Sequence, residues 1–158
     1  MGLRAQLLFC FIAFILMCRA VSAAETPPME LLRAAPEVIT VADCRLILKA
    51  ELWRDFMPIS PPDGKPLIAS LVLQTIGKAC LPPGVQVEAV WVVNDKAVWS
   101  PSPMEVHKGD DSTQMEIVVR NGPKWGPGIK VDVVVRVRDA QGQAYLLKAP
   151  RQEIQRTD

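Results

Sequence analysis

His107 is the only histidine of the chain, and Met104 stands three residues before it, with Met115 further on. An imidazole beside a thioether is the ligand pair of a copper site of the kind exported proteins carry. The set lacks a second strong ligand, and Met115 falls on the apolar phase of a strand, so a solvated loop histidine accounts for His107 as well. Metal binding through His107 and Met104 is therefore held as the alternative reading. Ser102 or Ser112, His107 and Asp110 or Asp111 offer the residue types of a Ser-His-Asp triad. Neighbours on one loop do not reach the buried, mutually oriented geometry that a triad needs, and no Gly-x-Ser-x-Gly elbow occurs. Asp110 and Asp111 also lack the spacing of a calcium-binding EF-hand loop. With no catalytic or cofactor motif, the sequence reads as that of a non-enzymatic protein without a cofactor.

The residues best suited to binding lie between Trp53 and Lys65. Hairpin loops usually have two to five residues, and longer connections without structure of their own tend to be functional. This one holds Trp53, Phe56, Met57 and Ile59, which either fold over an open end of the domain or form a contact surface for a protein or envelope component. Trp125, flanked by Gly and Pro, is a second candidate. Four tryptophans also raise carbohydrate stacking. Trp91 and Trp99 lie in apolar strands and read as core, which leaves Trp53 and Trp125 for such a role.

The elements that position these residues are short strands. Cys44, Leu46, Leu48, Ala50 and Leu52 share one face while Arg45, Lys49 and Glu51 share the other, the period of two of a half-buried antiparallel strand. Further strands are predicted over residues 67–76, 85–93, 97–99, 114–120, 129–138 and 143–149, punctuated by Pro and Gly turns. Asn94-Asp95-Lys96 reads as a hairpin loop that sets Trp91 facing Trp99. Residues 25–40 read as a leader with one helical turn near Met29 to Ala34, and residues 151–158 as a polar tail.

Seven strands of this spacing over residues 41–150 predict an all-β domain, a two-sheet β-sandwich of immunoglobulin or fibronectin-III type, with a small closed barrel as the other architecture. The segment Gly126-Pro127-Gly128-Ile129-Lys130-Val131-Asp132-Val133-Val134-Val135 resembles the penultimate strand of a fibronectin-III domain entered through its Pro-Gly turn. The resemblance covers one strand and one turn, and Ile129 or Val131 stands where those domains carry a tyrosine. It implies a fold and no activity.

The first 24 residues have the three parts of a secretory signal: Arg4, the apolar run Leu7 to Met17, and small residues at Ala20, Ser22, Ala23 and Ala24. Cleavage after Ala23 or after Ala24 fits equally. Between Arg4 and Arg19 the apolar run falls short of the roughly 20 residues needed to cross a bilayer. The mature protein is thus expected to be periplasmic or secreted, with no stable membrane insertion. Cys18 has no small residue before it, which argues against a lipid-modified N-terminus.

Removing 24 of 158 residues leaves 134, the size of one domain. It takes Lys+Arg from 18 to 16 against 17 Asp+Glu, a net charge of −1 that gives no basic face for nucleic acid or anionic lipid. Cys44 and Cys80 are the cysteines left, and in an oxidising compartment their simplest fate is a disulfide. Folding residues 67–76 back on 44–52 brings Cys80 towards Cys44. Closing a loop of about 37 residues would stabilise the fold by about 4 kcal/mol. Oligomeric state is not encoded in any feature of the sequence.

Overall fold

The computed structural model describes residues 25–77, 79–109 and 113–158. Residues 1–24, on which the expected signal falls, and Asp110, Asp111 and Ser112 lie outside them. The fold is all-β, 55% strand against 5% helix, built on a curled mixed sheet of nine strands. In chain order these are α1 (Met29–Ala34), β1 (Ile39–Val41), β2 (Cys44–Asp55), β3 (Leu67–Thr75), β4 (Gln86–Asn94), β5 (Ala97–Trp99), β6 (Glu105–Lys108), β7 (Gln114–Gly122), β8 (Lys130–Arg138) and β9 (Ala144–Thr157). All seven expected strands are present, joined by the short β1 and β6. The hydrogen-bonded order is β5-β4-β8-β9-β2-β3-β7-β6, with β1 added on β2.

Alternation builds the first half of the path. Leu46, Leu48 and Leu52 of β2, Leu67, Ala69, Leu71 and Leu73 of β3, and Met115, Ile117 and Val119 of β7 are all buried in one cluster. Each of these side chains larger than alanine contributes about 1.5–3 kcal/mol by leaving water. Leu52 lies opposite Ala69 and Leu46 opposite Thr75, a pairing offset by two residues from a hairpin closed at Leu52 and Leu67, so the same face stays inward.

The second half depends on two bulges. Val87 pairs with Val137 but Ala89 pairs with Arg136, so Glu88 is an extra residue on β4. The phase flips there: Val85, Val87, Val90 and Val92 join the main core, while Ala89, Trp91 and Val93 turn to the other face. Trp99 pairs with Val92, so it shares the face of Val92 and not that of Trp91. The expected pairing of the two tryptophans across the hairpin is therefore corrected. Trp99 instead crosses to β7, where a Cβ on Gly122 would come within 2.7 Å of its ring. That contact draws the two ends of the strand path together.

The second bulge lies in β9. Val131 pairs with Gln152 and Val133 with Ala149, one residue more on β9 than on β8. Arg151 takes the left-handed conformation, φ 54°, and its N–H donates to Asp132 Oδ1 at 2.8 Å. Pro150 stops an ordinary ladder because it has no N–H, yet it is tolerated at a bulge. Leu147 and Ala149 are buried before this point and Ile154 after it. Beyond it, β9 runs parallel to β2, with Leu52 opposite Ile154 and Asp55 opposite Thr157. Residues 151–157, read as a polar tail, are the strand that joins the two halves.

The leader is also part of the fold. Leu32 of α1 is fully buried with Ala35, Ala89, Trp91, Val93 and Val134 in a second cluster on the outer face of β4 and β8. Arg33 donates to the carbonyl of Asp95 at 2.9 Å, and the backbone N–H of Lys148 donates to Pro36 at 2.8 Å. Where they are covered on both faces, β4 and β8 run continuously apolar, Ala89 to Val93 in one and Val133 to Val135 in the other.

Candidate functional site at the open end of strands 2 and 9

Arg54 organises this end of the molecule. It continues the inward phase of β2 after Leu52 and is only 3% exposed. Its guanidinium donates to four carbonyls: Lys65 at 2.9 Å, Lys124 at 3.1 Å, Gly126 at 2.8 Å and Asp63. A planar fork with five donors suits this convergence of two loops, residues 56–66 and 123–129. Sequence reasoning missed it because an arginine after an apolar alternation reads as a strand end; the unbroken even-numbered phase from Leu46 to Arg54 was the signal.

The long loop is braced throughout. Phe56 N–H donates to the Thr157 carbonyl at 2.8 Å and Lys65 N–H to that of Asp55 at 2.8 Å. The Met57 N–H is held by Asp55 Oδ1 at 2.9 Å. Lys65 pairs with Asp55 at 2.8 Å and Lys124 with Asp63 at 2.6 Å. The hydrogen bond from Lys65, then that from the Met57 amide, holds the Asp55 carboxyl below its ordinary 3.8. The hydrogen bond from Lys124 does the same for Asp63.

The five expected contact residues separate into three environments. Phe56 packs: the Arg156 guanidinium lies 4.1 Å and that of Arg54 5.0 Å from its ring centre, and a Cβ on Gly64 would lie 2.6 Å from the ring. Trp125 packs, half-buried, against the main core. Met57 and Ile59 stand in water, 48% and 88% exposed. Trp53 is half-buried on the outer face, opposite Ile68 on one side and Gln155 on the other. It lines a groove of about 460 Å³ with Glu51, Gln152, Glu153, Gln155 and Thr157.

His107 is exposed on the edge strand β6, opposite Glu116 of β7. Met104 is half-buried against the main core and so is not displayed beside it. Among the described residues no three of His, Cys, Asp and Glu gather as a metal site would require. The thiol of Cys44 meets the carbonyl oxygen of Cys80 at 4.0 Å. The expected sulfur–sulfur bond is not formed in this structure, although the chain does curl back from β3 to bring the two residues together.

No protein-family model, curated protein or solved structure matches the chain.

Proposed function

We propose that the chain is an exported, non-enzymatic binding module, an immunoglobulin-like β-sandwich that engages a protein or envelope component through the loop after β2. The observation that carries this reading is the combination of a braced loop and exposed apolar tips. Residues 56–66 are tied by backbone bonds, two ion pairs and Arg54, yet Met57 and Ile59 are held in water. Ordering a loop in advance lowers the entropy cost of docking, and apolar tips supply the driving force. The sandwich reading rests on antiparallel pairing within each half of the strand path and one shared apolar layer. A signal peptide cut after Ala23 or Ala24 would place the module in the periplasm or outside the cell, where Cys44 and Cys80, already adjacent, would be oxidised to a disulfide.

The test is a photo-reactive phenylalanine analogue at position 59, irradiated in the native envelope, with the same analogue at position 96 as the control. A discrete adduct from position 59 alone, lost on Met57→Ser, supports the proposal. Identical adducts from both positions, or none from position 59, refutes it. Met57→Ser with Ile59→Ser leaves the melting temperature unchanged, since neither side chain is core.

A further inference from the structure

The groove beside Trp53 has a composition that the loop tip lacks. One wall is β2, with Trp53 and Glu51; the other is the end of β9, with Gln152, Glu153, Gln155 and Thr157. Trp53 offers a broad apolar surface, and the two glutamine amides each carry both donors and acceptors. Gln155, Glu51 and Glu153 make no side-chain hydrogen bond or ion pair among the described residues, while Gln152 donates to Pro150 at 2.7 Å and Thr157 to Arg54 at 3.3 Å. Ala50 and Leu52 line the groove together with Trp53, and a concave site of apolar residues with a few polar groups to orient the occupant is the general form of a small-ligand site.

We infer that this groove binds a saccharide, and specifically a pyranose unit bearing a free ammonium. A sugar ring has an apolar C–H face to lie against Trp53 and a rim of hydroxyls that donate and accept, as the amides do. A lysine side chain of a peptide would satisfy the carboxylates but bring no acceptor to the Gln155 amide or to the second N–H of Gln152, whose first is held by Pro150. The ammonium would be met by Glu51 and Glu153, two exposed carboxylates on the rim that form no ion pair among the described residues, Glu153 having Lys130 as its cross-strand neighbour. The inference stands apart from the loop tip, since Met57 and Ile59 do not line the groove.

The test is titration of the mature protein with three β-linked sugar tetramers, of glucosamine, N-acetylglucosamine and glucose, and with the peptide tetralysine, followed by calorimetry. The glucosamine tetramer is expected to bind at least about tenfold more tightly than the others, a difference of about 1.4 kcal/mol. Trp53→Ala abolishes that binding and Trp53→Phe, which keeps a flat ring, restores part of it. Should Trp53→Ala fail to fold, Glu51→Gln with Glu153→Gln alters only exposed groups and removes the preference for glucosamine. Tighter binding of tetralysine or of a neutral sugar, no binding of any sugar, or glucosamine binding unchanged in the double glutamine variant overturns the inference. Met57→Ser with Ile59→Ser leaves sugar binding intact, which separates this site from the loop surface.

Discussion

Arg54 occupies a position where the alternation of β2 would place another leucine, and it replaces apolar packing with four carbonyl contacts. Hydrogen bonds to a charged donor are worth more than neutral ones, and buried carbonyls left bare are costly. Arg54→Met is therefore expected to destabilise the protein on the order of 3 kcal/mol in urea unfolding. Arg54→Lys should recover only part of this, because three donors on a single nitrogen cannot reach four carbonyls spread over two loops. A Met variant as stable as the parent would remove Arg54 from this role. Acid should act at the same place. Asp55 and Asp63 have depressed carboxyls, as does Asp158 through its hydrogen bond from Arg156. A group whose folded value lies below its unfolded one stabilises above the unfolded value and loses that contribution as pH falls through the folded one. These aspartates thus add no pH dependence between neutrality and about pH 4, and stability falls below that. Asp63→Asn should flatten the fall in a series of melting temperatures against pH; an identical profile would show that the Lys124 pair brings nothing to the loop.

At the scale of elements, β9 matters most. Its first part is antiparallel to β8 and its last four residues are parallel to β2, so one strand carries hydrogen bonds in both halves of the path. Truncation after Pro150 removes Ile154, which is fully buried, along with the partner of Leu52 to Asp55. Loss of a side chain of this size from a core costs about 2–5 kcal/mol before the lost ladder is counted. The truncated protein is expected to melt well below the parent by circular dichroism; unchanged melting is what a solvated tail would give. Oxidation of Cys44 and Cys80 would give the start of β2 a different anchor. In oxidised, exported material the pair Cys44 and Cys80, 36 residues apart, should yield no free thiols on denaturation, and reduction should cost about 4 kcal/mol. Two titratable thiols in that material would rule the bridge out.

Across the whole molecule, the two outer faces are treated differently. Helix α1 covers Trp91, Val93, Ala89 and Val134 on one half, while the outer face of β2 and the end of β9 carries Trp53 and its groove in contact with water. Deleting residues 25–36 would expose an apolar face that includes a tryptophan now fully buried. Such faces drive association. The deleted protein is expected to self-associate in sedimentation and to show red-shifted tryptophan emission, whereas a monomer with unshifted emission would mean that α1 adds no cover.

Local alternation was enough to locate seven strands and most inward residues, because side chains in extended backbone point to opposite faces by geometry alone. Trp91 as core, Met115 and Ile117 on an inward face, and the helical turn at Met29 to Ala34 all follow from residue order. The parity change at Glu88 does not, since a bulge exists only relative to the partner strand. Pro150 marks a strand end in any local reading, and it took the pairing of Arg151 with Asp132 and of Ile154 with Leu52 to carry β9 onward. The groove has the same origin. Trp53 is separated by about a hundred residues from Gln152 and Gln155, and only the parallel pairing of β2 with β9 sets an aromatic side chain among those amides.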